Sequence, residues 1–92
     1  MEARFEWDPR KAARNLLKHR VSFTEALTVF ADPLARIVDD PRHSRDEPRY
    51  ILLGTSVHNR LVVVMYTERG EAIRLISARK ATERERKSYE ES

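Results

Sequence analysis

RYILLGTSVHNRLVVVMYTERGEAIRLISARK, residues 49–80, decides the fold. Three apolar runs lie in it: RYILLGTS, RLVVVMYTE and EAIRLISAR. Each is rich in the β-branched and aromatic residues that suit a pleated surface. The joints VHNR and ERGE are short and contain Asn59 and Gly70, which accept a positive φ at low cost. Short joints make neighbouring strands antiparallel, so the stretch reads as a three-stranded meander.

Two-residue turns at both joints would set Val57 opposite Arg60 and Glu68 opposite Glu71. Arg60 then lies across from Arg79. Arg49, Ile51, Leu53, Val62, Val64, Tyr66, Ile73 and Leu75 share one face. Tyr50, Leu52, Gly54, Ser56, Leu61, Val63, Met65, Thr67, Arg74 and Ile76 share the other. Opposed arginines repel unless an anion sits between them. A bound phosphate would do this; so would Glu47 or a C-terminal glutamate in a purely structural role.

Upstream, ARFEW alternates as a short strand does. Asp8-Pro9 then reads as an N-cap followed by proline at the first helical position, opening a helix over 9–19. Its apolar positions are Ala12, Leu16 and His19, with Ala13 and Leu17 beside them; Arg10, Arg14 and Lys18 line another face. Ser22 and Glu25 have capping-box spacing, and Phe23, Ala26, Leu27, Phe30 and Ala31 repeat with helical period until Asp32-Pro33. LARIV is a further strand, and DDPRHSRDEP a polar loop. Downstream of the meander, Thr82 and Glu85 again have capping-box spacing and open a short helix with Tyr89 as its only large apolar residue.

The order is therefore β-α-α-β-β-β-β-α. That defines an α+β fold with two N-terminal helices on one face of an antiparallel sheet and a short C-terminal helix. Two helices cover one face only, which leaves the second face, still apolar at Leu61, Val63 and Met65, for a partner. Ninety-two residues make one small domain, 1–92, with no room for both a core and a deep cofactor cavity. No cofactor is expected. No cysteine is present, so there is no disulfide and no thiolate metal site. The three histidines are dispersed, without metal-ligand spacing. No apolar run is long enough to span a membrane, and MEARFEWDP has no signal-peptide core; the expected compartment is the cytoplasm of a small cell.

The net charge is +3, and the cations are 14 Arg against 4 Lys. Arginine presents a planar fork that fits phosphate and carboxylate. A genome rich in G and C would raise arginine as well, and both readings stand. His19 is either a core-edge histidine or a site residue. His43 sits in the polar loop, solvated or functional, and His58 in a turn. Trp7 either closes the core or stacks on a base.

Two strings of residues carry a resemblance. The first is W-D-x-x-K-A-x-x-N-x-x-K-H, here Trp7, Asp8, Lys11, Ala12, Asn15, Lys18 and His19. The second is S-A-R-x-A-T-x-x-E-R, here Ser77, Ala78, Arg79, Ala81, Thr82, Glu85 and Arg86. With these strings the chain resembles the BrnT family of toxins over about residues 4–91. The resemblance implies a RelE-like fold and the ribonuclease half of a type II toxin–antitoxin pair. It implies metal-free RNA cleavage that arrests translation. It also implies a BrnA-like ribbon-helix-helix antitoxin, two toxins with an antitoxin dimer, that represses the shared operon; operator DNA is contacted only through that antitoxin.

Such cleavage needs charge stabilisation at phosphorus and the movement of protons. Arg79 and Arg60 are the candidates for the first task, and His19, Glu47 and Tyr89 for the second. Arg49, Arg74, Lys80, Arg84 and Arg86 are the cations expected to hold RNA. The alternative is a non-catalytic nucleic-acid- or partner-binding module on the same fold; a structural adaptor would have no RNA affinity.

Overall fold

Three capping side chains set where the helices begin. Asp8 accepts from the Arg10 N–H at 2.8 Å and opens α1, Pro9–His19. Ser22 accepts from the Glu25 N–H at 2.9 Å and opens α2, Phe23–Val29. Thr82 and Glu85 form a complete capping box that opens α3, Glu83–Glu90. The expected box at Ser22 is only half made, because the Glu25 carboxylate is directed to Ser56 and Arg60 instead. The structure, a computed structural model, describes residues 4–39 and 47–91. The expected loop, with His43 in it, falls for the most part outside the described residues.

The strands are β1 (Arg4–Glu6), β2 (Arg36–Asp39), β3 (Arg49–Thr55), β4 (Leu61–Arg69) and β5 (Ala72–Lys80). They form one sheet in the order β1-β5-β4-β3-β2. The meander is antiparallel as expected, but β1 joins β5 in parallel, so the sheet is mixed.

The register differs from the expected one. Thr55 pairs with Leu61, and Ser56 takes the Arg60 carbonyl at 2.8 Å, so the first joint has three residues, with Asn59 at φ 62. The second joint is a two-residue turn displaced by one position: Arg69 pairs with Ala72, with Gly70 at φ +59. A register irregularity between Met65 and Tyr66 then leaves Ile76 without a partner across the ladder. Arg79 consequently pairs with Val63, not Arg60. A slip of one residue exchanges the faces of a strand, and β3 is exchanged relative to β4. Tyr50, Leu52 and Gly54 share a face with Val62, Val64 and Tyr66, while Ile51 and Leu53 share the other with Met65 and Val63.

The first of these faces carries the core. Phe23, Ala26 and Val29 of α2 meet Leu52, Val62, Val64, Leu75 and Ala78 there. Trp7 packs edge-on against Phe23 at 5.9 Å, closing the core. Phe5, Phe30, Tyr66 and Tyr50 continue it as a chain of ring contacts. Gly54 is required by space: a Cβ there would stand 2.9 Å from the Ala35 Cβ and 3.0 Å from an Asp32 carboxylate oxygen.

α1 turns an unexpected side inward. Leu16 and Leu17, expected in its apolar stripe, are 46% and 75% exposed, and Asn15 is buried in their place. The Asn15 amide donates to the Ala78 carbonyl at 2.8 Å and to the Val21 carbonyl at 2.9 Å, and its oxygen accepts from the Ala78 N–H at 3.1 Å. β1 pairs with β5 only at residues 72–74. Beyond that pairing, Asn15 satisfies the Ala78 backbone as a strand would.

Candidate functional surface

The second sheet face has a floor of Leu61, Val63 and Thr67, all buried, with Ile51, Leu53 and Met65 half-buried. It is less open than two covering helices on the opposite face would leave it. α3 explains part of this, since it packs against β3. That helix has no buried residue; polar contacts hold it. The Tyr89 hydroxyl donates to Asp32 at 2.6 Å and accepts from the Thr55 hydroxyl at 3.3 Å. Arg36 donates to the Ser88 carbonyl at 2.6 Å. Arg79 grips Glu85 with both ends of its fork, at 2.8 and 2.9 Å.

These contacts set the electrostatics. The Arg79 hydrogen bonds hold the Glu85 carboxyl down at about 2, and Glu85 in turn raises the Arg79 pKa. Partial burial pulls Asp32 upward, but hydrogen bonds from Tyr89 and from the Thr55 and Leu34 N–H groups leave it below the usual carboxylate range. The hydrogen bond to Asp32 raises the Tyr89 phenol. Between α3 and the sheet lies a groove of about 380 Å³, lined by Arg36, Ile37, Ile51, Leu53, Val63, Glu85 and Ser88.

The expected site residues divide. Arg79 and Tyr89 each fasten α3, Arg79 through Glu85 in its first turn and Tyr89 through Asp32 near its last. Arg60 turns toward α2 instead. Its guanidinium donates to both oxygens of Glu25, one at 2.9 Å, and to the Arg20 carbonyl at 3.0 Å. Glu25 is buried, and the Arg60 hydrogen bonds hold its pKa down. The opposition of Arg60 and Arg79 is thus absent; each has its own carboxylate. Glu47 pairs with Arg69 at 3.3 Å. Arg49 faces Thr67 across the ladder, and Arg74 lies 3.7 Å from Glu6. Lys80 and Arg84 are exposed, and Arg86 reaches Glu90 at 4.0 Å on its own helix. His19 lies on the other side of β5, in a groove with Lys11, Arg14 and Lys18.

Sequence reasoning missed the anchors Asp32 and Arg36. Gly54 signalled the first, since a strand glycine often marks a close backbone approach. Among the described residues no group of three or more His, Asp or Glu side chains is placed to hold a metal ion. No helix there is long and apolar enough to cross a membrane.

A five-stranded sheet carrying two helices on its core face and a polar-anchored third on the other defines a small α+β class of protein. Residues 7–85 match the family described as "Ribonuclease toxin, BrnT, of type II toxin-antitoxin system", and the chain belongs to that family. Among solved structures it is similar to the Brucella abortus ribonuclease toxin BrnT. That likeness has 20% identity and a TM-score of 0.69, and covers 89% of this chain and 100% of the other. It supports the fold. A search of curated proteins finds no match.

Proposed function

We propose that this protein is a metal-independent endoribonuclease that arrests translation in the bacterial cytoplasm. A BrnA-like ribbon-helix-helix antitoxin neutralises it, two toxins with an antitoxin dimer, and represses the operon that encodes both. The observation that carries this reading is the family match over residues 7–85. The second sheet face supports it, with a groove under α3 and, among the contacts that fasten that helix, a guanidinium fork and a phenol.

In the proposed step the ribose 2′-oxygen attacks the adjacent phosphorus and loses its proton, the P–O5′ bond breaks, and the departing 5′-oxygen gains a proton. Arg79 stabilises the charge that builds on the phosphoryl oxygens. In the free toxin Glu85 fills the Arg79 fork, so RNA exchanges one anion for another there. Tyr89, a protonated phenol whose hydroxyl donates to Asp32 in the free toxin, is the donor available to the leaving oxygen once RNA displaces that bond. Arg60, bound to buried Glu25, orders the fold around α2.

The test is cleavage of total RNA by purified protein with and without EDTA. Cleavage under both conditions is expected. Activity lost in EDTA and restored by a divalent ion overturns metal independence, and none under either condition favours the non-catalytic binding module. Arg79→Ala should lower the rate about 10²–10³-fold while the sheet and core stay folded, read as a cooperative urea transition. Wild-type activity in that variant would remove Arg79 from the mechanism.

A further inference from the structure

Several residues of the two strings have visible work in the fold. Asp8 caps α1, Ala12 packs on the core, and Asn15 holds β5. Arg79, Thr82 and Glu85 fasten α3. The side chains of Lys11, Lys18, His19 and Ser77 make no ion pair or hydrogen bond of this kind among the described residues, and these four line one groove with Arg14, Asn15 and Ile76, a space of about 310 Å³ between α1 and β5. We propose that this groove binds the phosphodiester backbone of single-stranded RNA. The proposal deepens the ribonuclease reading by giving the substrate a second set of contacts, away from Arg79.

Charge is the first argument. Lys11, Arg14 and Lys18 fall at i, i+3 and i+7, one stripe about 10 Å long on α1. None of them has a carboxylate partner among the described residues, and no acidic side chain lines the groove. Like charges at this spacing destabilise a helix unless an anion joins them.

Helix electrostatics gives the second. Lys18 and His19 stand in the last turn of α1, where the helix dipole favours cations. Lys11 stands near the opposite end, where the first turn has no acidic residue and a cation works against the dipole. Lys11 is therefore not explained by the helix, and its charge faces outward into the groove.

The walls give the third. Ile76 is the residue left unpaired by the register shift in the β4–β5 ladder, and it lies beside the cations. Ser77 adds a hydroxyl, and His19, half-buried, adds ring nitrogens. Point charges along a trough with a few hydrogen-bonding groups suit a sequence-independent polyanion.

The experiment uses full-length protein and a labelled 2′-O-methyl RNA single strand, which lacks the attacking hydroxyl. Affinity is measured across a salt series for wild type, for Lys11→Gln/Lys18→Gln, and for Arg4→Ala/Arg10→Ala as a control of equal net charge. Each phosphate contact contributes about 0.7 to the slope of log affinity against log salt. The lysine variant should lose about 1.4 of that slope, and the control should keep the wild-type value. Equal slopes in all three proteins overturn the proposal and leave the ribonuclease reading standing. RNA bound with the predicted slope change, but cleavable strands left uncut, upholds the groove and overturns the ribonuclease reading. Wild type that binds no RNA overturns both. Loss of antitoxin binding with RNA affinity intact shows a protein-docking groove and overturns the proposal.

Discussion

α2 and α3 are nearly equal in length, 7 and 8 residues, and are held by opposite means. α2 buries Phe23, Glu25, Ala26 and Val29. α3 buries nothing and is fastened through Tyr89, Ser88 and Glu85. Apolar burial is non-directional and is lost only on unfolding. Polar fastening is directional, and each bond adds only about 0.5–1.5 kcal/mol net. One helix thus belongs to the core, while the other can open locally while the core stays folded.

The largest expected effect is on the apolar side. Phe23→Ala leaves a hole beneath Trp7 and should cost about 3–5 kcal/mol. For a domain of this size that is a large share of the total stability. Tyr89→Phe keeps the ring and loses the bond to Asp32, and should cost about 1 kcal/mol or less. Urea unfolding of both variants measures the pair. Equal losses would break the contrast between the helices.

Glu25→Gln probes the one buried polar side chain in α2. It leaves the Arg60 guanidinium with a neutral partner beside a buried site, and should cost about 2–3 kcal/mol, read as a lower urea midpoint. A midpoint within error of wild type would mean that apolar contacts alone hold α2, which sharpens the contrast in the other direction.

The two helices also differ in how far the sequence disclosed them. Phe23, Ala26 and Phe30 repeat with helical period, so the docking of α2 was legible. Thr82 and Glu85 announced where α3 starts but not where it lies, because Glu85 fills a capping box and an ion pair at once. Periodicity counts apolar residues, so it nominated Leu16 and passed over Asn15, whose burial answers a backbone need at Ala78. The strand spans were legible from their β-branched runs. The register was not, because Asn59 serves a three-residue joint as readily as a two-residue one, and that choice moved Arg79 away from Arg60. In the candidate site, Arg79 and Tyr89 stand out in the sequence through their place at a strand end and on an otherwise polar helix. The C-terminal glutamate weighed as a structural partner of Arg79 is Glu85, whereas Asp32, the partner of Tyr89, depends on the tertiary fold and left no local pattern.

The most specific expected effect is on acidification. Glu85 has a folded-state pKa of about 2 against an ordinary 4.5, and Asp32 is also depressed. A carboxylate with a lowered folded pKa contributes stability that is fully present above its unfolded pKa and is lost as pH falls toward the folded value. The α3 anchors should therefore weaken progressively from about pH 4.5 toward pH 2. The Glu85 shift alone corresponds to about 3 kcal/mol, but Glu85 and Arg79 are 30% and 40% exposed, so screening reduces this to about 1–2 kcal/mol. Glu25 is depressed as well, yet it sits within the core, so its protonation lowers global stability and does not release one helix. Hydrogen exchange at pH 3, compared with pH 6 after correction for the intrinsic rates, separates the two. Protection of residues 83–91 should fall far more than protection of residues 23–29. Glu85→Gln should have weak protection in α3 at both pH values, because its amide cannot replace the charged pair. Parallel loss in the two helices of the wild-type protein would show that α3 opens only with the core.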